Sequence, residues 1–572
     1  MKKLLLPAAS AALCLTLLIS GCGHQKNSHA HRPSAEPCVS TTKIAEPAAT
    51  TDEAVAQHQY PRPPIAPMAS RQLLPNASLE PQYKQEEVNK VYQDRESREG
   101  YAPIVENEFI AALQKPLSTF SIDVDRAAYS NVRRYLNAGT LPPAGAVRIE
   151  EMINYFDYSY PQPSGPHPFG IHTQLAKAPW NPNHYLLSIG LQGKQISNAD
   201  LPPANLVFLI DVSGSMDEPN RLPLVKKSLE LLANNLRPQD KVAIVVYAGS
   251  AGLVLPATAG SNKAAITEAL NKLEAGGSTA GGEGIALAYK VARQNRTQGA
   301  NSRVIICTDG DFNVGPSSDD ELVRMIEKER QDGIFLSVLG FGMGNYQDHK
   351  MQQLANKGNG NHAYIDQLQE ARKIFMEEFG ATLYTIAKDV KLQLEFNPAQ
   401  VQGYRLIGYE NRLLADEDFN DDTKDAGELG TGHVVTALYE IIPAGVSSAF
   451  LRTVDPLKYQ QQPPVSPTGN VQELLTIKFR YKQPQGSTSQ LLQQVVAASP
   501  VAIENTDANF RFSAAVAAFG MLLRDSKFKQ QASYALVESL ARSALGPDPN
   551  GYRFEFVGLV KKAANLQATA AK

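Results

Sequence analysis

The chain has 572 residues, of which 43% are hydrophobic and 20% charged, and a formal net charge of −3. That length exceeds what one hydrophobic core serves, since domains cluster at roughly 100–200 residues, so several units are expected. Near-neutral charge and the lack of any dense Lys/Arg block leave nucleic-acid binding without support.

The chain opens with "MKKLLLPAASAALCLTLLISGCG", in which Lys2 and Lys3 precede an apolar run and then small residues before Cys22. By pattern, residues 1–21 are a secretory signal. The tetrapeptide "ISGC" at 19–22 resembles the bacterial lipobox, which implies cleavage before Cys22 and a lipid on that cysteine. Gly23 follows where inner-membrane retention would call for Asp, so the resemblance implies a Gram-negative outer membrane. No later segment approaches the ~20 apolar residues that span a bilayer, so a tether rather than a threaded chain is expected. Of the other cysteines, Cys38 lies in a polar stretch and Cys307, in "RVIICTDG", reads as a small core residue. This is not the pattern of a disulfide scaffold.

Residues 22–85 are rich in Pro, Ala, Ser, Gln and His and read as a disordered spacer, with His24, His29 and His31 as solvated tail residues. An α+β region follows over 86–200. It has a strand at 119–124, helices at 127–136 and 147–156, and an alternating strand in "HYLLSIGLQGKQ". Asp123 and Asp125 are expected to cap the first helix.

Over 201–388 apolar strands ("NLVFLI", "VAIVVY", "VIICTD", "IFLSVLGFG") alternate with amphipathic helices, one of which places Leu224, Val225, Leu229, Leu232 and Leu236 on one face. A single helix over about 368–387 closes the unit. The pattern predicts an α/β domain with a doubly wound, mainly parallel sheet. From 389 to 572, "VKLQLEFN", "YRLIGYEN", "HVVTALYEIIP" and "ELLTIKFRYK" alternate as antiparallel strands of a β-sandwich-like unit, and the end is helical. The region 86–200 is expected to pack on that unit, which makes the central domain an insertion.

Ligands of open α/β sheets bind beyond the carboxyl ends of strands. Two strands here end in acids, Asp211 in "FLIDVSGSM" and Asp309 in "CTDG", and a glycine-rich loop between them holds Thr279. With Ser213 and Ser215 this gives five oxygen donors and no competing imidazole or thiolate. Hard oxygen ligands suit Mg²⁺, with Mn²⁺ or Ca²⁺ as alternatives. "DVSGSM", the loop threonine and "TDG" occur in an order that resembles the metal-ion-dependent adhesion site of von Willebrand factor type A domains. The resemblance implies direct ligation by Ser213, Ser215 and Thr279, water-mediated roles for Asp211 and Asp309, and a last coordination position for an Asp or Glu carboxylate of a protein partner. The flanking segments "STFSIDVDRAAYSNVRRYLNAGTLPP", "RIEEMINYFDY" and "GYRFEFVGLVKKA" are similar to a bacterial lipoprotein family called YfbK-like. That family joins an N-terminal von Willebrand-associated region, the A domain and a C-terminal region of unknown function.

The acidic run Asp416, Glu417, Asp418, Asp421, Asp422, Asp425 lacks the order of a calcium loop and reads as a solvated loop. "GFGMGN" reads as a turn. No histidine precedes a glutamate, and neither a G-x-S-x-G elbow nor a P-loop occurs, so a binding protein is favoured over an enzyme. The alternative reading is an accessory subunit of an envelope complex or channel-like assembly.

Overall fold

The computed structural model describes residues 98–277, 281–310, 319–451 and 472–570. Cys22, Cys38 and Thr279 lie outside the described residues, as do the signal segment and the spacer. In chain order the strands are β1 (Ile110–Ala111), β2 (Leu117–Ser121), β3 (Phe169–Ala178), β4 (Asn181–Gly193), β5 (Ala204–Asp211), β6 (Lys241–Tyr247), β7 (Ala251–Ala259), β8 (Asn301–Thr308), β9 (Ile334–Phe341), β10 (His362–Ile365), β11 (Thr385–Phe396), β12 (Val401–Ile407), β13 (Gly427–Gly430), β14 (Val434–Pro443), β15 (Glu473–Lys482) and β16 (Ser489–Ala497).

Six of them form the central sheet in the order β10-β9-β8-β5-β6-β7. All neighbours are parallel except β7, which runs antiparallel to β6 at one edge. Every residue of β5 is buried. A continuous apolar run suits a strand covered on both faces, and here Leu206, Phe208 and Ile210 meet the helices Leu222–Asn235 and Lys263–Asn271. Val207 and Leu209 face the opposite layer, where Ile285, Ala288, Leu322, Ile326 and Met351 pack.

The flanks build two antiparallel sheets together. One has the order β1-β12-β14-β4-β3; in the other, β11 pairs with β15 on one edge and with β2 and β13 on the other, and β16 follows β15. Alternation puts Leu187, Ile189, Tyr404 and Tyr439 of the first against Phe120, Leu392, Leu394 and Phe479 of the second, so the pair is a sandwich. Helices Ala127–Asn137, Ala508–Leu523 and Tyr552–Ala570 cover the outer face of the first sheet around Trp180 and Leu438. Strands preceding the central domain pair with strands following it: β4 with β14, β2 with β11, β1 with β12.

Buried arginines join this body to the central domain. Arg133 reaches Asp366, Glu370 at 2.7 Å and Glu555 at 3.1 Å. Arg148 meets Asp348 at 2.6 Å. Arg412 holds Asp123 at 2.9 Å and Asp125 at 3.0 Å and donates to Asn356 Oδ1. This corrects the capping role expected of the two aspartates: the helix Ala127–Asn137 has no side-chain cap, and Asp125 also accepts the N–H of His362 at 2.8 Å.

The single helix expected over 368–387 breaks into Leu368–Arg372, a π turn Lys373–Glu377 and Phe379–Leu383, and the chain is already strand at Thr385. The wider turn sets buried Lys373 against Glu378 at 2.9 Å, five residues on, which an α-helical spacing would not do. Strands β1, β3, β13 and β16 escaped the alternation reading. β13 is two glycines in four residues, and β16 is an edge strand whose Leu491 and Val495 are half exposed.

Candidate metal centre

From β5 the chain crosses to β6 on one side, and it returns to β8 on the other. The crevice at the carboxyl ends of β5 and β8 is therefore a topological switch point, where the crossing loops part. Asp211 and Asp309 sit there, both fully buried.

Asp211 Oδ1 accepts the Ser213 N–H at 2.9 Å, an Asx turn that folds the serine loop back over the strand end. Its Oδ2 accepts from Tyr247 Oη at 3.1 Å and Thr308 Oγ1 at 3.4 Å. The Ser213 and Ser215 hydroxyls lie 3.1 Å apart. The glycine loop joins them: Gly214 N–H donates to Gly277 O at 3.1 Å, and Gly276 N–H to Val212 O at 2.7 Å. Gly277, the last described residue before the loop threonine, has φ +86°. Four of the five expected donors thus stand at one edge, and Thr279 belongs to a loop tied to them by its described neighbours.

Gly310 completes the third loop. Its φ is +100°, and a Cβ there would lie 2.7 Å from Tyr346 Cα and from Gln347 N, so "TDG" needs its glycine both for conformation and for space. The "GFGMGN" turn forms with Gly342 at φ +73° and Gly344 at φ +93°. It presents the Met343 carbonyl to Arg221 Nη2 at 2.7 Å. Arg221 itself pairs with Asp309 at 2.9 Å and donates to the Ser215 carbonyl. Sequence reasoning missed this residue. Its signal was a cation at the amino end of a helix, where the macrodipole disfavours one.

Burial pushes the Asp211 carboxyl up to about 6; the nearby Asp309 carboxylate adds to the rise, and the Ser213 bonds oppose it. A carboxylate so placed gains from a cation beside it. Among the described residues no group of three or more His, Cys, Asp or Glu is arranged to hold a metal, so a centre at this edge relies on hydroxyls. Two buried acids and paired hydroxyls fit a hard divalent cation, not a soft one. Arg221 neutralises one acid, so an added divalent ion would leave the edge net positive.

Three family models cover the chain in succession: "von Willebrand factor" over 95–188, "von Willebrand factor type A domain" over 205–377, and "Uncharacterized protein YfbK, C-terminal" over 381–566. The uncharacterized protein YfbK of Escherichia coli K12 is 43% identical over 470 residues, spanning 81% of this chain and 80% of that one. The chain belongs to the YfbK family. The uncharacterized protein sll0103 of Synechocystis is 27% identical over 34% of this chain and 46% of its own length. Among solved structures, a von Willebrand factor type A protein from Catenulispora acidiphila aligns at 16% identity and TM-score 0.37, covering 68% of this chain and 89% of its own. Residues 205–377 thus match a domain class that mediates protein–protein interactions generally.

The remaining motifs resolve into structure. In the acidic run, Lys391 Nζ donates to the carbonyls of Asp418 and Asp421, Asp422 accepts from Ser489, and Asp425 pairs with Arg330 at 2.6 Å. The run is a loop whose acids stay half-exposed or exposed, and these bonds fasten it to the sandwich and the A domain. Cys307 is a buried core thiol. Among the described residues no helix is long and apolar enough to cross a membrane.

Proposed function

We propose that this chain is a lipid-anchored cell-envelope protein that captures a protein partner through Mg²⁺ held by Asp211, Ser213, Ser215, Thr279 and Asp309. Mn²⁺ or Ca²⁺ would suit the same donors. The observation that carries the reading is the meeting of Asp211, Ser213, Ser215 and Asp309 at the switch point of the sheet. The cation supplies a Lewis-acidic anchor for an Asp or Glu carboxylate of the partner, and the surrounding loops select which partner. Nothing in the donor set includes a placed general base, so the reading is binding without catalysis. The acylated Cys22 and the spacer to residue 85 hold the binding head at the outer membrane.

Calorimetry of Mg²⁺ binding to the full chain tests the centre. Ser213→Ala is expected to weaken affinity at least 10–100-fold, the range typical of residues that only support ligands. Unchanged affinity in a folded variant refutes the site. Capture of a partner from envelope extracts that is indifferent to chelator spares the site and refutes the bridge. Fatty-acid labelling that persists in Cys22→Ser refutes the anchor.

A further inference from the structure

The edge of a sheet presents unpaired N–H and C=O groups, and folds blunt it with short strands, proline, charge or cover. Most edges of this protein are blunted. β10 and β13 have four residues each and β1 two. β7 carries Pro256 in its middle. β2 meets Leu414, whose N–H donates to the Thr119 carbonyl at 3.0 Å. β3 is covered by Val501, which donates to Leu175 O at 3.0 Å and accepts from the Lys177 N–H at 3.1 Å.

β16 has none of these devices. It runs for nine residues, "SQLLQQVVA", without proline, glycine or charge. One edge pairs with β15, and the other has no strand or backbone partner among the described residues. Leu492, Gln494 and Val496 alternate toward the sandwich, which leaves Leu491, Gln493 and Val495 on the outer face, with Leu491 50% and Val495 52% exposed. The neighbouring cations of β15 on that face are answered, Lys478 by Glu395 and Arg480 by Asp422. The outward residues are also symmetric about Gln493: Leu491 and Val495 lie two residues to either side, and Ser489 and Ala497 four.

We propose that β16 pairs antiparallel with β16 of a second copy of this chain, about a two-fold axis through Gln493. Such a contact is isologous, so the strand must complement itself. It does: Leu491 lies opposite the partner's Val495, Gln493 opposite the partner's Gln493, and no charge meets its like across the axis. That match favours a second copy over an unrelated strand. The paired length is about 31 Å at 3.4 Å per residue and about 10 Å deep, so roughly 600 Å² is buried over the two copies. That is small for a specific interface. Its main-chain ladder, about eight to ten hydrogen bonds for nine residue pairs, matches that of a standard one. The dimer is therefore weak and concentration-dependent.

The test uses the full chain carrying Cys14→Ser, Cys22→Ser and Cys38→Ser, which leaves the buried Cys307. Facing residues of an antiparallel pair have Cα atoms about 4.5–5.5 Å apart, within reach of a disulfide, whereas Leu491 and the partner's Leu491 would lie about 14 Å apart. Under mild diamide oxidation, Gln493→Cys is expected to give about tenfold more disulfide-linked dimer than Leu491→Cys or Val495→Cys alone, and a mixture of those two to give their heterodimer. Sedimentation of the parent chain at about 100 µM in chelator, with the metal centre silent, is expected to show dimer, and Leu491→Lys/Val495→Lys to show monomer. A parent chain that stays monomeric at that concentration overturns the proposal, as does a dimer that survives both lysines. Cross-linking no stronger at 493 than at 491 also overturns it, and this pattern decides the matter should the lysine variant not fold.

Discussion

The substitution Asp211→Asn removes a charge from a fully buried position and keeps the shape. The carboxyl rises from 3.8 to about 6 in the metal-free fold, chiefly through burial. At about 1.4 kcal/mol per unit, the ionised form costs the metal-free protein about 3 kcal/mol at pH 7. The amide variant escapes that cost but loses acceptor capacity toward Tyr247 and Thr308, worth about 1 kcal/mol. In chelator at pH 7 the variant should therefore be about 1–2 kcal/mol more stable than wild type, a rise of about 2–4 °C per kcal/mol for a domain of this size. Mg²⁺ reverses the order. At a hundred times its dissociation constant it stabilises wild type by about 2.7 kcal/mol, and the variant by far less. The pH dependence has a fixed sign. Because the folded pKa lies above the ordinary value, this group favours the metal-free fold below about pH 4 and loses that contribution as pH rises through about 6. The gap between variant and wild type in chelator should close at pH 4. Thermal melts in chelator and in Mg²⁺ check this. A variant less stable than wild type in chelator, or equally stabilised by Mg²⁺, refutes the reasoning.

Two further changes probe what holds the site. Arg148→Met strands the Asp348 carboxylate, which Arg148 and His362 hold well below the usual range against the upward push of burial; urea denaturation should show a loss of about 3–5 kcal/mol, and a loss under about 1 kcal/mol contradicts the assigned pairing. Gly310→Ala forces a Cβ against the backbone of Tyr346 and Gln347 at a positive φ. It should cost about 2 kcal/mol or more, read by thermal melt, and weaken Mg²⁺ binding through its neighbour Asp309.

The central sheet was legible because parallel strands buried on both faces must be continuous apolar runs, and "VFLI" and "VIIC" can be little else. That Asp211, Ser213, Ser215 and Asp309 meet at one edge was legible because the loops beyond the carboxyl ends of parallel strands converge there. What stayed hidden is set by contacts distant in sequence. Nothing local marks Arg412 as the partner of Asp123 and Asp125, which precede it by more than half the described chain, so a helix cap was the nearer inference. The π turn at Lys373–Glu377 depends on an ion pair within the fold, and helix propensity read straight through it. Edge strand β16, apolar on a half-exposed face, offers neither clean alternation nor a buried run. Arg221 went unnoticed because its partners, Asp309 and the "GFGMGN" turn, lie far from it in sequence.

The strand pairing makes the A domain an insertion in a body that is complete without it, and that claim can be cut out and tested. Both junctions are held by adjacent residues of the sandwich. Gly432 N–H donates to the Lys194 carbonyl, Ile196 N–H to Thr431 Oγ1, and Thr431 N–H to the Tyr384 carbonyl. The chain therefore leaves and re-enters the sandwich at neighbouring points, and within the A domain Arg237 ties Leu201 O to Tyr384 Oη, each at 2.8 Å. Removing residues 198–383 and joining Ser197 to Tyr384 through a short Gly/Ser linker should leave the two flanking cores intact, since neither draws a side chain from the A domain. Arg133 and Arg148 lose the acids that the A domain supplies but regain water, so no charge is stranded. The excised protein should melt in one cooperative transition and keep its near-ultraviolet signal from Trp180 and the packed tyrosines. A chain that lacks tertiary signal, or that exposes its core to a hydrophobic dye, would show that the A domain is needed to hold the flanks together and is not simply inserted in them.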